Sequence, residues 1–417
     1  MLSFLLLGLS GYVILCSVIQ MIVTLRLVHV FRTRPNPPHD FDPPKAAIVL
    51  AVRGPDPTLE QNVRALAAQH YPDYKLFIVV DHVDDPAWKI VEQVRDEFPD
   101  RIQIAALRDP LKTCSLKCSA MAQAIEGLDP DYQIVAFADG DVFVHPSWLR
   151  ELAEPLADPN VGASTGNRWY LPTDSSLGSM TRYLWNMGVV FQVWLNEFVW
   201  PGSMALRAET LNKTELVAAL RRSLFDGPAV VRELRRAAFK VRFVPTVMIP
   251  NREQISLRAF TQWVERQTIV AGTAEKQNWL LLGLNALHVA ICVFAPPLAT
   301  LIGWWFSDDT ALRWGLLALA CYWGVMSFSV FAVERAVRGV LTLHEKELRW
   351  FSWPKALSAV PSLLLAHLIP LLALARTITR NTVHWRGIEY EIGGADGVRM
   401  RSYAPYGRQI KSGESVL

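Results

Sequence analysis

The chain has 417 residues and carries 42 lysines and arginines against 39 aspartates and glutamates, a net charge of only +3. That balance excludes nucleic acid as the expected partner and fits an ordinary, weakly basic surface. Half the residues are hydrophobic and fifteen are tryptophan, an excess gathered in four runs, which signals membrane spans rather than an oversized core.

Met1 to Leu25 carries no charge, long enough to cross a hydrocarbon core of about 30 Å. Without a basic leader it reads as a retained anchor over residues 1–31. Arg26, Arg32 and Arg34 follow, so the positive-inside rule places the amino terminus outside and the next domain in the cytoplasm. Residues 32–44, proline-rich from Pro35 to Pro44, read as a semi-rigid linker. The five cysteines show neither a disulfide framework nor the paired spacing of a structural metal site.

From Lys45 strands and helices alternate. Strands are expected at Ala46–Val52, Tyr74–Val80, Ile102–Leu107 and Ile134–Phe137, with helices at Leu59–Gln69, Ala87–Phe98 and Leu116–Glu126 between them. This pattern predicts an α/β layer with a mainly parallel sheet, whose ligands bind beyond the carboxyl ends of the strands. Leu177 to Trp200 is aromatic-rich and reads as core or as a membrane-interface segment, with the interface favoured. Leu216 to Ala238 is a basic helical stretch interrupted at residues 225–228, and Leu257 to Glu275 is an amphipathic helix within an interfacial segment, residues 251–278. Three uncharged runs follow within residues 279–376: Trp279–Phe306, Trp314–Val333 and Ala356–Ala375. The basic segment between the last two, with Lys346 and Arg349, is expected to be cytoplasmic. Arg376, Arg380 and Arg386 after the third run favour a re-entrant path for it and a cytoplasmic tail over residues 377–417.

Within this frame Asp139 and Asp141, one residue apart at a strand end, have the oxygen chemistry to share a hard divalent cation. Gly140 between them lets the backbone turn and a ligand approach. Alone the pair is equally consistent with solvated loop acids. Asp81, Asp84 and Asp85 follow the second strand, where a carboxylate can accept hydrogen bonds from a base or ribose. A solvated role suits Asp85 better than Asp81, which ends an apolar run.

The ordered motifs VVDHVDDPA, KTCSLKCSAM, ADGD, WPGSMALR, LFDGPA, FTQWVERQ and HWRGIEYEI resemble the membrane-bound branch of glycosyltransferase family 2, and within it the ceramide glucosyltransferase group and related bacterial lipid glycosyltransferases. The likeness spans about Lys45 to Glu391. It implies a GT-A fold, a Rossmann-like mixed sheet over residues 45–250, between an N-terminal membrane anchor and C-terminal transmembrane helices. It also implies that Asp81, Asp84, Lys117 and Asp139 bind a nucleotide sugar and that Asp139 and Asp141 hold Mg²⁺ or Mn²⁺. By the same likeness Asp226 and Arg266 are catalytic, Asp226 as general base, and Gly202, Ser203, Met204, Gln262, Trp263 and Gln267 shape the acceptor site. Two departures stand out: Gly227 follows Asp226 where a second acid is usual, and the Q-x-x-R-W helix motif is written W-x-x-R-Q at Trp263 to Gln267.

The expected protein is an inverting, metal-dependent transferase moving a sugar, UDP-linked, from a nucleotide sugar to a lipid hydroxyl at the bilayer. The alternatives are a processive polysaccharide synthase, for which four hydrophobic runs make a thin channel, and an inactive membrane protein that binds nucleotide sugar or lipid.

Overall fold

The computed structural model describes residues 2–33, 41–273, 277–344, 352–393 and 397–407. Most of the proline-rich linker, the end of the expected amphipathic helix, Lys346 and Arg349, and residues 394–396 and 408–417 of the expected tail lie outside the described residues. The chain divides into two compact units. A helical unit holds Met1–Arg34, Tyr170–Phe191 and Arg252–Thr379, and a sheet unit holds Pro35–Trp169, Gln192–Asn251 and Arg380–Leu417.

The strands are β1 (Ala46–Val52), β2 (Tyr74–Val80), β3 (Ile102–Ala106), β4 (Ile134–Ala138), β5 (Val161–Tyr170), β6 (Ser203–Arg207), β7 (Lys240–Asn251), β8 (Thr382–Trp385), β9 (Ile388–Ile392) and β10 (Val398–Met400). The helices up to the middle of the chain are α1 (Leu2–Arg32), α2 (Leu59–Ala67), α3 (Pro86–Glu97), α4 (Leu116–Glu126), α5 (Trp148–Ala153), α6 (Leu177–Leu195), α7 (Ala208–Lys213), α8 (Leu216–Leu220) and α9 (Asp226–Arg236). They are followed by α10 (Leu257–Thr273), α11 (Asn278–Trp305), α12 (Asp309–Leu341) and α13 (Trp353–Thr377).

In the sheet unit seven strands run in the order β3-β2-β1-β4-β6-β5-β7. The first four are mutually parallel, and β6 runs antiparallel to both β4 and β5. The apolar runs of β1 and β4 are continuous because both faces are covered. Ile48, Leu50, Leu76 and Ile78 meet Leu59, Val63 and Leu66 of α2 and Val91 and Val94 of α3 in one core. The register pairs Val52 with Val80 and Leu50 with Ala138. The carboxyl ends of β1, β2 and β4 therefore share one rim, and the antiparallel pairing of Ala138 with Ser203 brings the start of β6 to it. The mixed, mainly parallel sheet is the fold class expected from the sequence.

Residues 380–407 differ from expectation. Strands β8, β9 and β10 among them form a second sheet, in the order β10-β9-β8, that belongs to the sheet unit. The physical reason is alternation: Ile388, Tyr390 and Ile392 point inward while Glu389 and Glu391 stay half-exposed, the period of a half-buried strand.

In the helical unit α1, α11 and α12 lie side by side. Leu6 packs with Ala299 and Ala311, and Val13 with Cys292, Ala318 and Tyr322. On α13, Ile369 and Ala373 pack against Phe260 and Val264 of α10, while His367 and Leu368 meet the bundle beside Tyr322 and Trp323 of α12. The helices α1, α11, α12 and α13 are each long and apolar enough to cross a membrane. Pro361 and Pro370 do not interrupt α13. The interface expected for residues 177–200 is corrected for most of α6, where Met180, Tyr183, Leu184, Met187 and Val190 are buried. Its aromatic content is used in packing: Trp185 meets Phe260 and Trp263 edge-on.

Candidate active site

The site is assembled on the rim of the sheet. Asp81 follows β2, and its amide donates to the Val52 carbonyl at 2.9 Å, which fixes the chain as it leaves the strand. Burial pushes the Asp81 carboxyl above its ordinary value, and the guanidinium of Arg53, paired with it, opposes that rise. The Tyr406 amide donates to Asp81 Oδ2 at 3.3 Å, and the Tyr403 hydroxyl to the Asp81 carbonyl at 3.4 Å. Arg53 is itself held by the carbonyls of Arg386 and Ala404, at 3.1 and 3.0 Å.

Asp85 is not a solvated acid. It is buried, caps α3 by accepting from the Ala87 amide at 2.9 Å, and accepts from the Gly54 amide at 2.9 Å. An N-cap of this kind is worth about 1 kcal/mol. Asp84 is exposed and lies 3.4 Å from His82.

The centre of the site is Lys117, in the first turn of α4. Ser115 caps that helix, accepting from the Cys118 amide at 3.2 Å. Lys117 Nζ reaches Asp139 Oδ1 at 2.6 Å and Asp226 Oδ2 at 2.8 Å. Burial works against its charge, but the two carboxylates outweigh it and hold the ammonium above its ordinary value. Asp226 is buried and opens α9, so the interruption expected at residues 225–228 is a helix start. Gly227 lies against Pro201, whose Cγ would be 2.9 Å from a β-carbon there.

Asp141 is gripped by the fork of Arg168, Nη1 to Oδ2 at 2.9 Å and Nη2 to Oδ1 at 2.8 Å. Burial raises the Asp141 carboxyl, but Arg168 outweighs it and the net direction is downward. Arg168 also lies 5.1 Å from the Trp200 ring. Gly202 borders Asp139: a β-carbon there would sit 2.6 Å from Asp139 Oδ2. Ser203 and Met204 are buried in β6, with the Ser203 hydroxyl accepting from the Trp148 indole at 2.7 Å.

The second sheet adds a cation. Arg386 and Gly387 are the two turn residues between β8 and β9, both left-handed, at φ 49° and 75°. The Arg386 guanidinium meets Asp56 through two contacts of 3.1 Å. Burial opposes its charge, and Asp56, then Asp141 and Asp139, outweigh that and raise it. Next to it the Trp385 ring lies 5.3 Å from Phe225, the residue before Asp226.

The sheet unit thus brings together Asp81, Lys117, Asp139, Asp141, Gly202 and Asp226. Gln262, Trp263, Arg266 and Gln267 stand together on α10 in the helical unit. There Trp263 is half-buried among Trp185, Phe260 and Tyr170, and Gln262 is exposed. Sequence reasoning missed Arg53, Asp56, Arg168, Arg386, Tyr403 and Tyr406. Arg53 had a signal, since it follows β1 as Asp81 follows β2. So did Arg386, inside the W-R-G motif. Arg168 and Asp56 had none.

The carboxylate oxygens of Asp139 and Asp141 have the chemistry that suits a hard divalent cation, and they already gather the positive charge of Lys117 and Arg168. No curated protein matches this chain. Among solved structures it is similar to the mannosyltransferase PcManGT from Pyrobaculum calidifontis in complex with GDP-Man and Mn²⁺, with 14% identity, 90% of this chain and 99% of that chain covered, and a TM-score of 0.47. It is also similar to glucosyl-3-phosphoglycerate synthase from Mycobacterium tuberculosis in complex with Mn²⁺, uridine diphosphate and glucosyl-3-phosphoglycerate, with 14% identity, 55% and 80% covered, and a TM-score of 0.35. The sequence motifs pointed to family 2 and its ceramide glucosyltransferase group; the family that matches, over residues 11–397, is glycosyl transferase family 21. With nearly the whole chain inside that match, this protein is a glycosyltransferase and belongs to glycosyl transferase family 21.

Proposed function

We propose that this enzyme transfers a sugar, with inversion, from a UDP-linked donor to the hydroxyl of a membrane lipid, and does so with a divalent cation. The observation that carries the reading is the Lys117 clasp, which holds Asp139 and Asp226 within 2.6 and 2.8 Å of one ammonium. A D-x-D acid and a buried second acid are thereby parts of one site.

In this reading Asp81 accepts a hydrogen bond from the nucleotide base, beside Tyr403 and Tyr406. Asp139 and Asp141 would hold Mg²⁺ or Mn²⁺, which would supply Lewis-acid neutralisation of the departing diphosphate. Arg168 grips both oxygens of Asp141, so a cation there would share that carboxylate with it. Lys117 and Arg386 add fixed positive charge where negative charge develops. Asp226 removes the proton from the acceptor hydroxyl as it attacks, a role that contributes about 10²–10⁴-fold. Attack on the face opposite the leaving group inverts the anomeric centre. Arg266, Gln262, Trp263 and Gln267 on α10 serve the acceptor side. The membrane reading rests on the four long apolar helices, with the sheet unit on the cytoplasmic side by the arginines that follow α1.

The test is Asp226→Asn assayed with UDP-sugars, a divalent cation and lipid acceptors. Transfer should fall at least a hundredfold with UDP affinity kept within about threefold, on the same range of general-base effects. Loss of UDP binding, or undiminished transfer, removes Asp226 from the base role. UDP release that does not depend on acceptor lipid defeats the lipid assignment.

A further inference from the structure

We propose that α13 does not cross the membrane. It lies in the leaflet on the side that bears the sheet unit, with one apolar face against lipid. The inference rests on the proposed membrane insertion of α1, α11 and α12.

Those three helices are aligned end to end by contacts along their length. The Ser3 side chain lies near enough to Asp308 in the α11–α12 turn to help hold its carboxyl below the ordinary value, after the Ala311 amide. Leu6 meets Ala299 and Ala311, Val13 meets Cys292 and Ala318, and Thr24 meets Ser329 at 2.8 Å between hydroxyl oxygens. So α1 and α12 run in the same direction and α11 runs back between their levels. The ends at Arg32, Asn278 and Leu341 fall on one side, and Ser3 and Asp308 on the other.

Residues 33–45 join α1 to β1 with a polar, proline-rich sequence that holds no apolar run able to cross, so the chain begins the sheet unit on the side where α1 ends. Residues beyond α13 fold into that same unit. Arg386 pairs with Asp56, the Met400 amide donates to the Lys112 carbonyl at 2.7 Å, and the Tyr406 amide donates to Asp81. A single folded unit cannot straddle a bilayer, so an even number of crossings separates Asn251 from Arg380. With α11 and α12 using two, α13 must begin and end on the same side. Its length is sufficient to span, since 25 residues rise about 37 Å, but connectivity decides against length.

The surface of α13 agrees. Trp353, Leu357 and Val360 are 77%, 73% and 74% exposed and, with Leu364, fall within about 60° of one another around the helix axis. Lys355, Ser362, Ile369, Ala373 and Thr377 occupy the opposite face and are buried. That face is the one covered by Phe260 and Val264 of α10. Lys355 donates to the Pro172 carbonyl at 2.7 Å, and Arg376 pairs with Glu265 at 3.2 Å. Lys355, Ser362 and Thr377 are thus turned inward, Arg376 is half exposed beside Glu265, and the outward apolar stripe suits lipid rather than water.

The experiment uses the full chain in oriented vesicles, with the unmodified protein and its own cysteines as baseline. Asp100→Cys and Arg399→Cys should react with a membrane-impermeant maleimide from one face, and Asp309→Cys only from the other. Fluorophores on Leu357→Cys, Leu364→Cys and Ala375→Cys, which share the outward face, should be quenched most by shallow doxyl lipids and to one common depth. Quenching at Leu364 that is greatest for deep doxyl lipids overturns the inference while leaving the bundle intact. So does labelling of Arg399→Cys from the face opposite to Asp100→Cys. Labelling of Asp309→Cys from the same face as Asp100→Cys removes the membrane insertion of the bundle, and the inference falls with it.

Discussion

Asp81 and Lys117 answer burial in opposite ways. Lys117 has two carboxylates within 2.8 Å, enough to outweigh the desolvation of its ammonium. Asp81 has the single guanidinium of Arg53 and two weaker contacts from Tyr403 and Tyr406, and its carboxyl stays raised. Two consequences follow with definite sign. A carboxyl raised in the folded state favours folding below its unfolded value and loses that contribution as pH rises through the folded value. Protonation of Asp81 on acidification begins at a higher pH than for an ordinary aspartate. If its ionised form accepts from the base, UDP affinity should weaken as pH falls, starting above the usual carboxylate range. Asp81→Asn should bind more weakly throughout and lose that limb of the profile. Calorimetric titration of UDP at a series of pH values checks this, and a wild-type profile matching Asp81→Asn would refute it.

The β8–β9 hairpin shows what one short element contributes. A two-residue turn with both residues left-handed prefers Asn-Gly, because each needs positive φ. Here an arginine takes the first place, at φ 49°, and its side chain reaches Asp56 and the field of Asp139 and Asp141. A bulky residue in that conformation costs of order 1 kcal/mol, so its placement is better explained by the acids it reaches than by the turn. Arg386→Asn should keep the hairpin, since easier turn geometry offsets part of the lost ion pair. Donor affinity should fall about tenfold, or roughly 1.4 kcal/mol. Unchanged affinity with an intact far-ultraviolet spectrum would sink the assignment.

This element also marks the limit of what was legible in the sequence. The strands β1 and β2 and the helix α4 were readable to the residue, because continuous apolar runs between capped helices leave little choice of register. Asp139, Asp141 and Asp226 were singled out from their motifs, and Lys117 ties Asp139 to Asp226. Arg168 and Asp56 were not singled out, because their roles depend on strand pairing and on a return of the chain across 330 residues. The alternation in IEYEI was visible, but its position after an apolar run made a tail the simpler reading. Asp85 shows the same limit from the other side: only the start of α3 and the amide of Gly54 reveal that it is structural.

At the scale of the whole molecule, the chain leaves the sheet unit after β5 to place α6 in the helical unit before returning to β6. The excursion is secured by Glu334 near the end of α12. Its Oε2 accepts from the Tyr183 hydroxyl of α6 at 2.7 Å and its Oε1 from Arg338 Nε at 2.7 Å. At 33 residues α12 is about 50 Å long, well beyond a hydrocarbon core of about 30 Å, so its last turns need not meet lipid. A buried acid there is tolerable because both oxygens are used. Removing one partner is unequal in effect. Tyr183→Phe deletes one hydrogen bond and leaves the acid paired with Arg338, a loss of about 1–2 kcal/mol. Glu334→Leu removes the acceptor of the Tyr183 hydroxyl and the acid paired with Arg338 together, so its loss should exceed that of Tyr183→Phe, at about 2–3 kcal/mol. The double variant should cost less than the sum, because the two single changes delete the same bond. Thermal unfolding of the full chain in detergent reads all three. Equal destabilisation by the two single variants, or strict additivity, would show that Glu334 does not tie α6 to α12.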